Sequence, residues 1–211
     1  MIKAIIFDYD GVIAESVQVK TEAFAELYRP FGSEIVNKVI LHHEANGGIS
    51  RFEKFKMYHE QYLNIPLDEK GIDRLAQEFS DIILKKVIDS PYIRGAEDFL
   101  KTWHTKYDLF ISTGTPESEI KTILKTKDIY KYFKAVYGSP ESKGIHIQRI
   151  ITAHAYKNGE MVFVGDATTD RDAARQAGIE FIGRYTTVDE IKNEKLKIED
   201  FTTLKGIIEN I

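Results

Sequence analysis

The 211-residue chain contains no cysteine. Disulfides and thiol chemistry are thereby excluded, and the composition suits the cytoplasm. The chain also lacks a long apolar run. Its first residues, Met1 to Phe7, are too few for a secretory signal or a membrane span, and Asp8 and Asp10 follow at once. A basic stripe is missing too. The formal net charge is −4, from 29 basic and 33 acidic residues, so a nucleic-acid backbone is not an expected partner. Internal repeats and low-complexity stretches are absent. The expectation is a soluble cytoplasmic protein that engages neither membrane nor nucleic acid. Its oligomeric state, monomer or dimer, is left open by the sequence.

What is present describes an ordinary globular chain, 43% hydrophobic and 29% charged. It can bury a core without help from disulfides or metal. Ala4 to Phe7 is a short apolar run that predicts a buried strand. Residues 17–89 change character and predict helices almost throughout. Phe24, Leu27, Tyr28 and Phe31 recur at helical spacing until Pro30 and Gly32 interrupt them. Ile35, Val36, Val39 and Ile40 form a second stripe that ends near Gly47-Gly48. Ser50-Arg51-Phe52-Glu53 fits a capping box, which puts Arg51 in a first helical turn. Asp68 can cap a further helix, with Ile72, Leu75, Phe79, Ile82 and Ile83 on one face.

From Pro91 onward strands and helices alternate. Helix is predicted near Ala96–Trp103, strand at Asp108–Ser112, and a helix opened by Thr115 as cap and Pro116 as its first residue. A weak strand at Ala135–Tyr137, a helix at Ile145–Ala155 and a strong strand at Met161–Val164 follow. Asp172–Ala177 predicts a helix stopped by Gly178, then a strand at Ile179–Ile182. Phe201–Ile211 is expected as a closing helix. The alternation implies a parallel sheet covered by helices on both faces. The fold class is therefore α/β, a Rossmann-like parallel sheet carrying an inserted all-helical cap. Residues 1–16 and 90–211 form the core domain, and residues 17–89 form the cap.

Four polar clusters sit at the ends of predicted core elements. They are Asp8-Tyr9-Asp10-Gly11, Ser112-Thr113-Gly114-Thr115, Lys143, and Gly165-Asp166 running on to Asp170. In a parallel sheet every strand C-terminus faces the same edge, where ligands bind, so these clusters should converge. Crowded carboxylates repel one another unless a cation is present, and hard oxygen ligands suit Mg²⁺. A lysine, a hydroxyl and free backbone N–H groups can hold phosphoryl oxygens. Together these groups describe phosphoryl transfer through an aspartyl-phosphate. Each cluster alone has an ordinary explanation. Asp-x-Asp-Gly occurs in calcium loops, although those need a third ligand before the glycine and a helix ahead of it. Thr-Gly is commonly a turn, and a lone lysine is usually solvated.

The set Asp8-x-Asp10-Gly11-Val12, Thr113, Lys143 and Gly165-Asp166-x-x-x-Asp170 resembles the four motifs of the haloacid dehalogenase superfamily. The segment Asp172-Ala173-Ala174-Arg175-Gln176-Ala177-Gly178 is similar to that family as well. The resemblance implies that Asp8 is the nucleophile and Asp10 the general acid and base. It implies that Asp8, the Asp10 main-chain carbonyl and Asp166 bind Mg²⁺, with Asp170 as an outer or alternative ligand. Thr113 and the Gly114 N–H would hold phosphoryl oxygens, with Lys143 stabilising the transferring charge; Lys131 and Lys134 are the neighbouring alternatives. Asp10 as a second aspartate argues against a dehalogenase or a phosphonatase.

The resemblance extends to the cap. Gly48-Ile49-Ser50-Arg51 is similar to the cap loop of β-phosphoglucomutases, where an arginine holds a second phosphate. Arg51 and Lys20 are accordingly the candidates for substrate specificity, and the partner is a small phosphorylated metabolite. His42, His43 and His59 lack metal-ligand spacing and are expected to be structural or solvated. Tyr58, Tyr62 and the Phe52–Phe55 pair are expected in the cap core. The expected activity is Mg²⁺-dependent hydrolysis of a small phosphate monoester. The alternatives are a β-phosphoglucomutase-like phosphosugar mutase and a non-catalytic ligand sensor on the same fold. Family mutases often carry Glu-Asp where this chain has Gly165-Asp166, and a histidine on the first cap helix where Lys20 stands. Both differences favour the phosphatase.

Overall fold

The computed structural model describes residues 1–185 and 188–211. Strand β1 (Ala4–Phe7) is buried along its whole length. Helices α1 (Val17–Tyr28), α2 (Ser33–Ala45), α3 (Arg51–Met57) and α4 (Glu69–Asp89) follow before any further strand. The remainder alternates: α5 (Ala96–Trp103), β2 (Asp108–Pro116), α6 (Glu117–Thr126), β3 (Phe133–Ser139), α7 (Lys143–His154), β4 (Met161–Gly165), α8 (Thr168–Ala177) and β5 (Glu180–Arg184). Short elements α9 (Asp189–Lys192), β6 (Lys197–Ile198) and α10 (Leu204–Glu209) close the chain. Among the described residues the strands form one parallel sheet, ordered β3-β2-β1-β4-β5-β6. This is the α/β core with an inserted helical cap that the sequence predicts. No helix among the described residues is long and apolar enough to cross a membrane.

The two-residue period of β1 places the sheet between two apolar layers. Ile5 and Phe7 pack with Phe99, Leu100, Ile120 and Phe201 on one face. Ala4 and Ile6 pack with Ile147, Ile150, Phe163 and Ala174 on the other. The first layer continues into the cap through Phe24, Tyr28, Phe55, Tyr58, Phe79 and Ile83. The two linkers to the insertion run side by side. Glu15 N–H donates to Pro91 O at 3.0 Å, and Ile93 N–H donates to Ile13 O at 3.0 Å.

Local signals account for several helix ends. Asp68 caps α4, its Oδ1 accepting from Gly71 N–H at 2.8 Å. The buried stripe of α4 runs through Ala76, Phe79, Ile83 and Val87, with Leu75 and Ile82 at its margin. Ser50 caps α3, but its Oγ accepts from Phe52 N–H at 3.3 Å; among the described residues Glu53 makes no reciprocal bond. Gly178 ends α8 with φ +68°. Three expectations need correction. Strand β2 runs on through Pro116, so Pro116 occupies the cap position of α6 and Glu117 its first turn. Helix α8 begins at Thr168, four residues before Asp172, because Ala167 N–H finds the Asp170 carboxylate as acceptor at 3.1 Å. The closing helix is confined to Leu204–Glu209.

Candidate active site

The parallel register brings the clusters to one edge. Asp8 follows Phe7 directly at the end of β1, the strand between β2 and β4. Lys143 opens α7 after β3, and Asp166 leaves β4. Thr113 and Gly114 lie on β2 itself, where Ser112 pairs with Tyr137 and Pro116 with Ser139. Residues 112 to 116 thus span what 137 to 139 span opposite. This bulge presents Thr113 and Gly114 to the cavity at the strand ends.

Asp8 is 3% exposed. Tyr9 N–H donates to its Oδ1 at 2.6 Å, and Lys143 Nζ donates to its Oδ2 at 2.7 Å. Lys143 also donates to Asp170, so one ammonium lies between two carboxylates. Lys131 and Lys134 are elsewhere, paired with Asp128 and Asp108. Oxygens of Asp8, Asp166 and Asp170 all lie within 4.8 Å of one another. Among the described residues no hydrogen-bond donor meets the Asp166 carboxylate. Gly11 lies beneath it with φ +72°, and a Cβ there would stand 2.2 Å from Asp166 Oδ2. Burial, then Asp8 and Asp170, push the Asp166 carboxyl well above its ordinary range. Burial also drives Asp170 up, to about 7, against the pull of Lys143. Burial alone would lower Lys143, but Asp170 and Asp8 raise it above the usual lysine range. Three carboxylates around one ammonium leave a charge deficit that a hard divalent cation on oxygen ligands fits.

Asp10 is directed differently. Ser16 Oγ donates to its Oδ1 at 2.6 Å. Lys20 Nζ and Thr115 Oγ1 both donate to Oδ2, Thr115 at 3.0 Å, and Lys20 also reaches Thr115 Oγ1 at 2.7 Å. Burial would raise the Asp10 carboxyl, but Lys20 and these hydrogen bonds together hold it below its ordinary range. Its carboxylate is not part of the three-carboxylate group. Thr113 is 1% exposed, and its Oγ1 accepts from Thr115 N–H at 3.2 Å. Gly114 faces the cap: a Cβ there would lie 2.7 Å from Gly48 O. Thr169 Oγ1 on α8 donates to Gly47 O at 3.0 Å, holding the cap loop over the site.

Asp8, Asp10, Lys20, Arg51, Thr113, Gly114 and Asp166 line one cavity of about 400 Å³ between cap and core. Arg51 is nevertheless engaged already. Its guanidinium donates to Glu119 through Nη1 at 2.9 Å and Nη2 at 2.6 Å, and to Ser80 Oγ at 2.7 Å. It also lies 4.6 Å from the Phe79 ring centroid. Arg51 is therefore not the free cation that its sequence position suggests. Ser16, Thr115, Glu119, His43 and Lys54 are site neighbours that the sequence did not single out for such roles. Ser16 and Thr115 adjoin the motifs, whereas Glu119 is 68 residues from Arg51 and leaves no local signal.

Residues 5–184 match the family model described as haloacid dehalogenase-like hydrolase. The chain is 25% identical over 203 residues to a phosphorylated carbohydrates phosphatase of Thermotoga maritima, covering 93% of this chain and 90% of that protein. It is 24% identical over 189 residues to a phosphoglycolate phosphatase of Vibrio parahaemolyticus, covering 86% and 83%. Among solved structures, a β-phosphoglucomutase of Clostridium difficile superimposes with a TM-score of 0.80 at 19% identity, covering 100% of this chain and 98% of that one. That last likeness concerns the fold.

Proposed function

The chain belongs to the haloacid dehalogenase-like hydrolase family, and from that premise we propose that it is a Mg²⁺-dependent phosphatase acting on a small phosphate monoester, with the phosphoryl group passing through Asp8. The observation that carries this reading is the setting of Asp8. Its carboxylate accepts from the Lys143 ammonium, lies within 4.8 Å of the Asp166 and Asp170 carboxylates, and borders a cavity lined by Thr113 and Gly114. We take residues 17–89 as the cap domain and residues 1–16 and 90–211 as the core domain. A cytoplasmic location, suggested by the cysteine-free composition, belongs to the same proposal.

Asp8 attacks phosphorus; a bond from its carboxylate oxygen forms as the ester oxygen leaves. Asp10 gives the leaving alkoxide its proton. Asp10 then takes a proton from water, whose oxygen attacks phosphorus and frees Asp8 and phosphate. Thr113 Oγ1, the Gly114 N–H and Lys143 hold the phosphoryl oxygens, which a loose transition state needs more than covalent help. Asp8, the Asp10 main-chain carbonyl and Asp166 would hold the Mg²⁺, with Asp170 behind them. When bound, the ion offsets the charge of the carboxylates and of the phosphoryl group, so that two anions can meet. Lys20, Ser16 and Thr115 hold Asp10 ionised, the state its base role requires. The acid role requires Asp10 to take up a proton as substrate enters.

The mutase alternative has support from the fold and from the Gly48–Arg51 loop pattern. Gly165 offers no room for the glutamate of the mutase pattern, since a Cβ there would stand 2.4 Å from Asp170 Cβ. Purified protein with Mg²⁺ and a panel of phosphate esters tests the proposal. Phosphate release that disappears in Asp10→Ala supports it. Isomerised phosphosugar without free phosphate indicates the mutase, and no turnover of any ester indicates the sensor.

A further inference from the structure

The cap presents three cations to the cavity, and two of them already have anionic partners. Arg51 holds Glu119, and Lys20 holds Asp10. The third is Lys54, one turn beyond Arg51 on α3 and 2% exposed. Among the described residues no carboxylate lies within ion-pair distance of it. Its Nζ meets His43 Nδ1 at 2.8 Å and lies 5.6 Å from the Phe24 ring centroid. His43, on α2, is 8% exposed, and both residues line the cavity over Asp8 and Asp10. Burial pushes His43 down to about 2, so its ring is neutral. Accepting from the Lys54 ammonium at Nδ1 places its proton on Nε2, which makes it a second donor.

An ammonium buried without a counter-ion is costly, and such groups persist where a partner arrives. Burial, then Lys20 and Lys143, push Lys54 down to about 7, so its protein surroundings disfavour its charge. Glu44, the cap carboxylate in the same lining, is exposed and forms no ion pair with Lys54. An anion entering beside Lys54 would restore the missing counter-charge. Resting on the phosphatase reading of this site, we propose that Lys54 and His43 form the subsite for a second anionic group of the substrate, at the other end of the molecule from the phosphoryl group held at Asp8. The substrate class is a small phosphate monoester that also carries a carboxylate or a second phosphate. Arg51, the residue that the sequence pattern nominates for this task, instead ties cap to core.

The test uses titration calorimetry on the full chain with saturating Mg²⁺ and three phosphonates. Phosphonoacetate carries a carboxylate, ethylenediphosphonate carries a second phosphonate, and ethylphosphonate has an uncharged tail. Wild type should bind at least one of the first two roughly tenfold or more tighter than ethylphosphonate, and the tighter one identifies the anion. In Lys54→Met that ratio should fall to within about twofold of unity. A purely structural role would weaken all three probes alike and leave the ratio intact. A wild type without preference, or a Lys54→Met protein that keeps it, overturns the proposal. If Lys54→Met does not fold, the wild-type ratio and His43→Gln, which should lower it, decide. Hydrolysis of 4-nitrophenyl phosphate by the same wild-type sample is the separate check on the phosphatase reading. Its failure beside an intact binding preference would remove the activity and keep the anion subsite.

Discussion

Arg51 on α3 and Glu119 on α6 are joined by two hydrogen bonds, of 2.9 and 2.6 Å, with both side chains buried. Ser80 Oγ on α4 donates to the same carboxylate at 2.6 Å, so cap and core share one small polar network. Removing one partner leaves the other charged in an apolar setting. Arg51→Ala or Glu119→Ala should therefore cost about 3–5 kcal/mol in urea unfolding. Arg51→Met with Glu119→Met should cost much less than the sum, since neither charge is then stranded. The opposite pattern, unchanged stability with a KM raised only for substrates bearing a second anion, would return Arg51 to substrate recognition.

Gly48 sits at φ +79°, and a Cβ there would stand 2.2 Å from Thr169 Oγ1 and 3.0 Å from Lys143 Nζ. Gly48→Ala should displace the cap loop from above the site while the core stays folded. Turnover is expected to fall by roughly ten- to a hundredfold. Stability should drop by only about 1–2 kcal/mol, the cost of a left-handed residue. Steady-state kinetics and thermal melts on the same preparation check both parts. Wild-type turnover in Gly48→Ala would show that the loop contact has no part in the reaction.

The carboxylate cluster sets a pH dependence. Asp166 and Asp170 are both raised above the ordinary aspartate value, Asp170 to about 7. Without metal, the folded protein keeps protons that the unfolded chain releases from about pH 4 upward. The contribution of Asp170 to stability is thus lost as pH rises from about 4 to about 7, and that of Asp166 as pH rises through its own raised range. Mg²⁺ binds the folded, ionised cluster and stabilises it by mass action. The rise in melting temperature on adding Mg²⁺ to EDTA-treated protein should accordingly grow across that window. Asp166→Asn should abolish most of it. A shift independent of pH, or unchanged in Asp166→Asn, would place the ion elsewhere.

Where local chemistry dictated structure, the sequence could be read closely. The Ala4–Phe7 strand, the Asp68 cap, the Ala96–Trp103 helix and the Gly178 stop all rest on neighbours in the chain, and the structure has them at those places. The nearness of Asp8, Asp166 and Asp170 was legible for a different reason, since parallel strands have only one C-terminal edge. Features fixed by distant partners left no such trace. Pro116 reads as a helix start, yet pairing with Ser139 keeps it in β2, while Thr115 turns its hydroxyl to Asp10. Arg51 reads as a free cation because Glu119 is remote in sequence. His43 reads as structural or solvated and Lys54 carries no sequence signal, and only the folded cap shows them side by side over the cavity.

Acid quenching during turnover, followed by mass spectrometry of the peptide that contains Asp8, tests the central claim most directly. The account predicts a phosphoryl group on Asp8 in the presence of Mg²⁺ and a phosphate ester. The modification should build up in Asp10→Asn, whose amide cannot activate water, and be missing from Asp8→Asn together with phosphate release. Undiminished phosphate release from Asp8→Asn, or a phosphoryl group found on another residue, would contradict it.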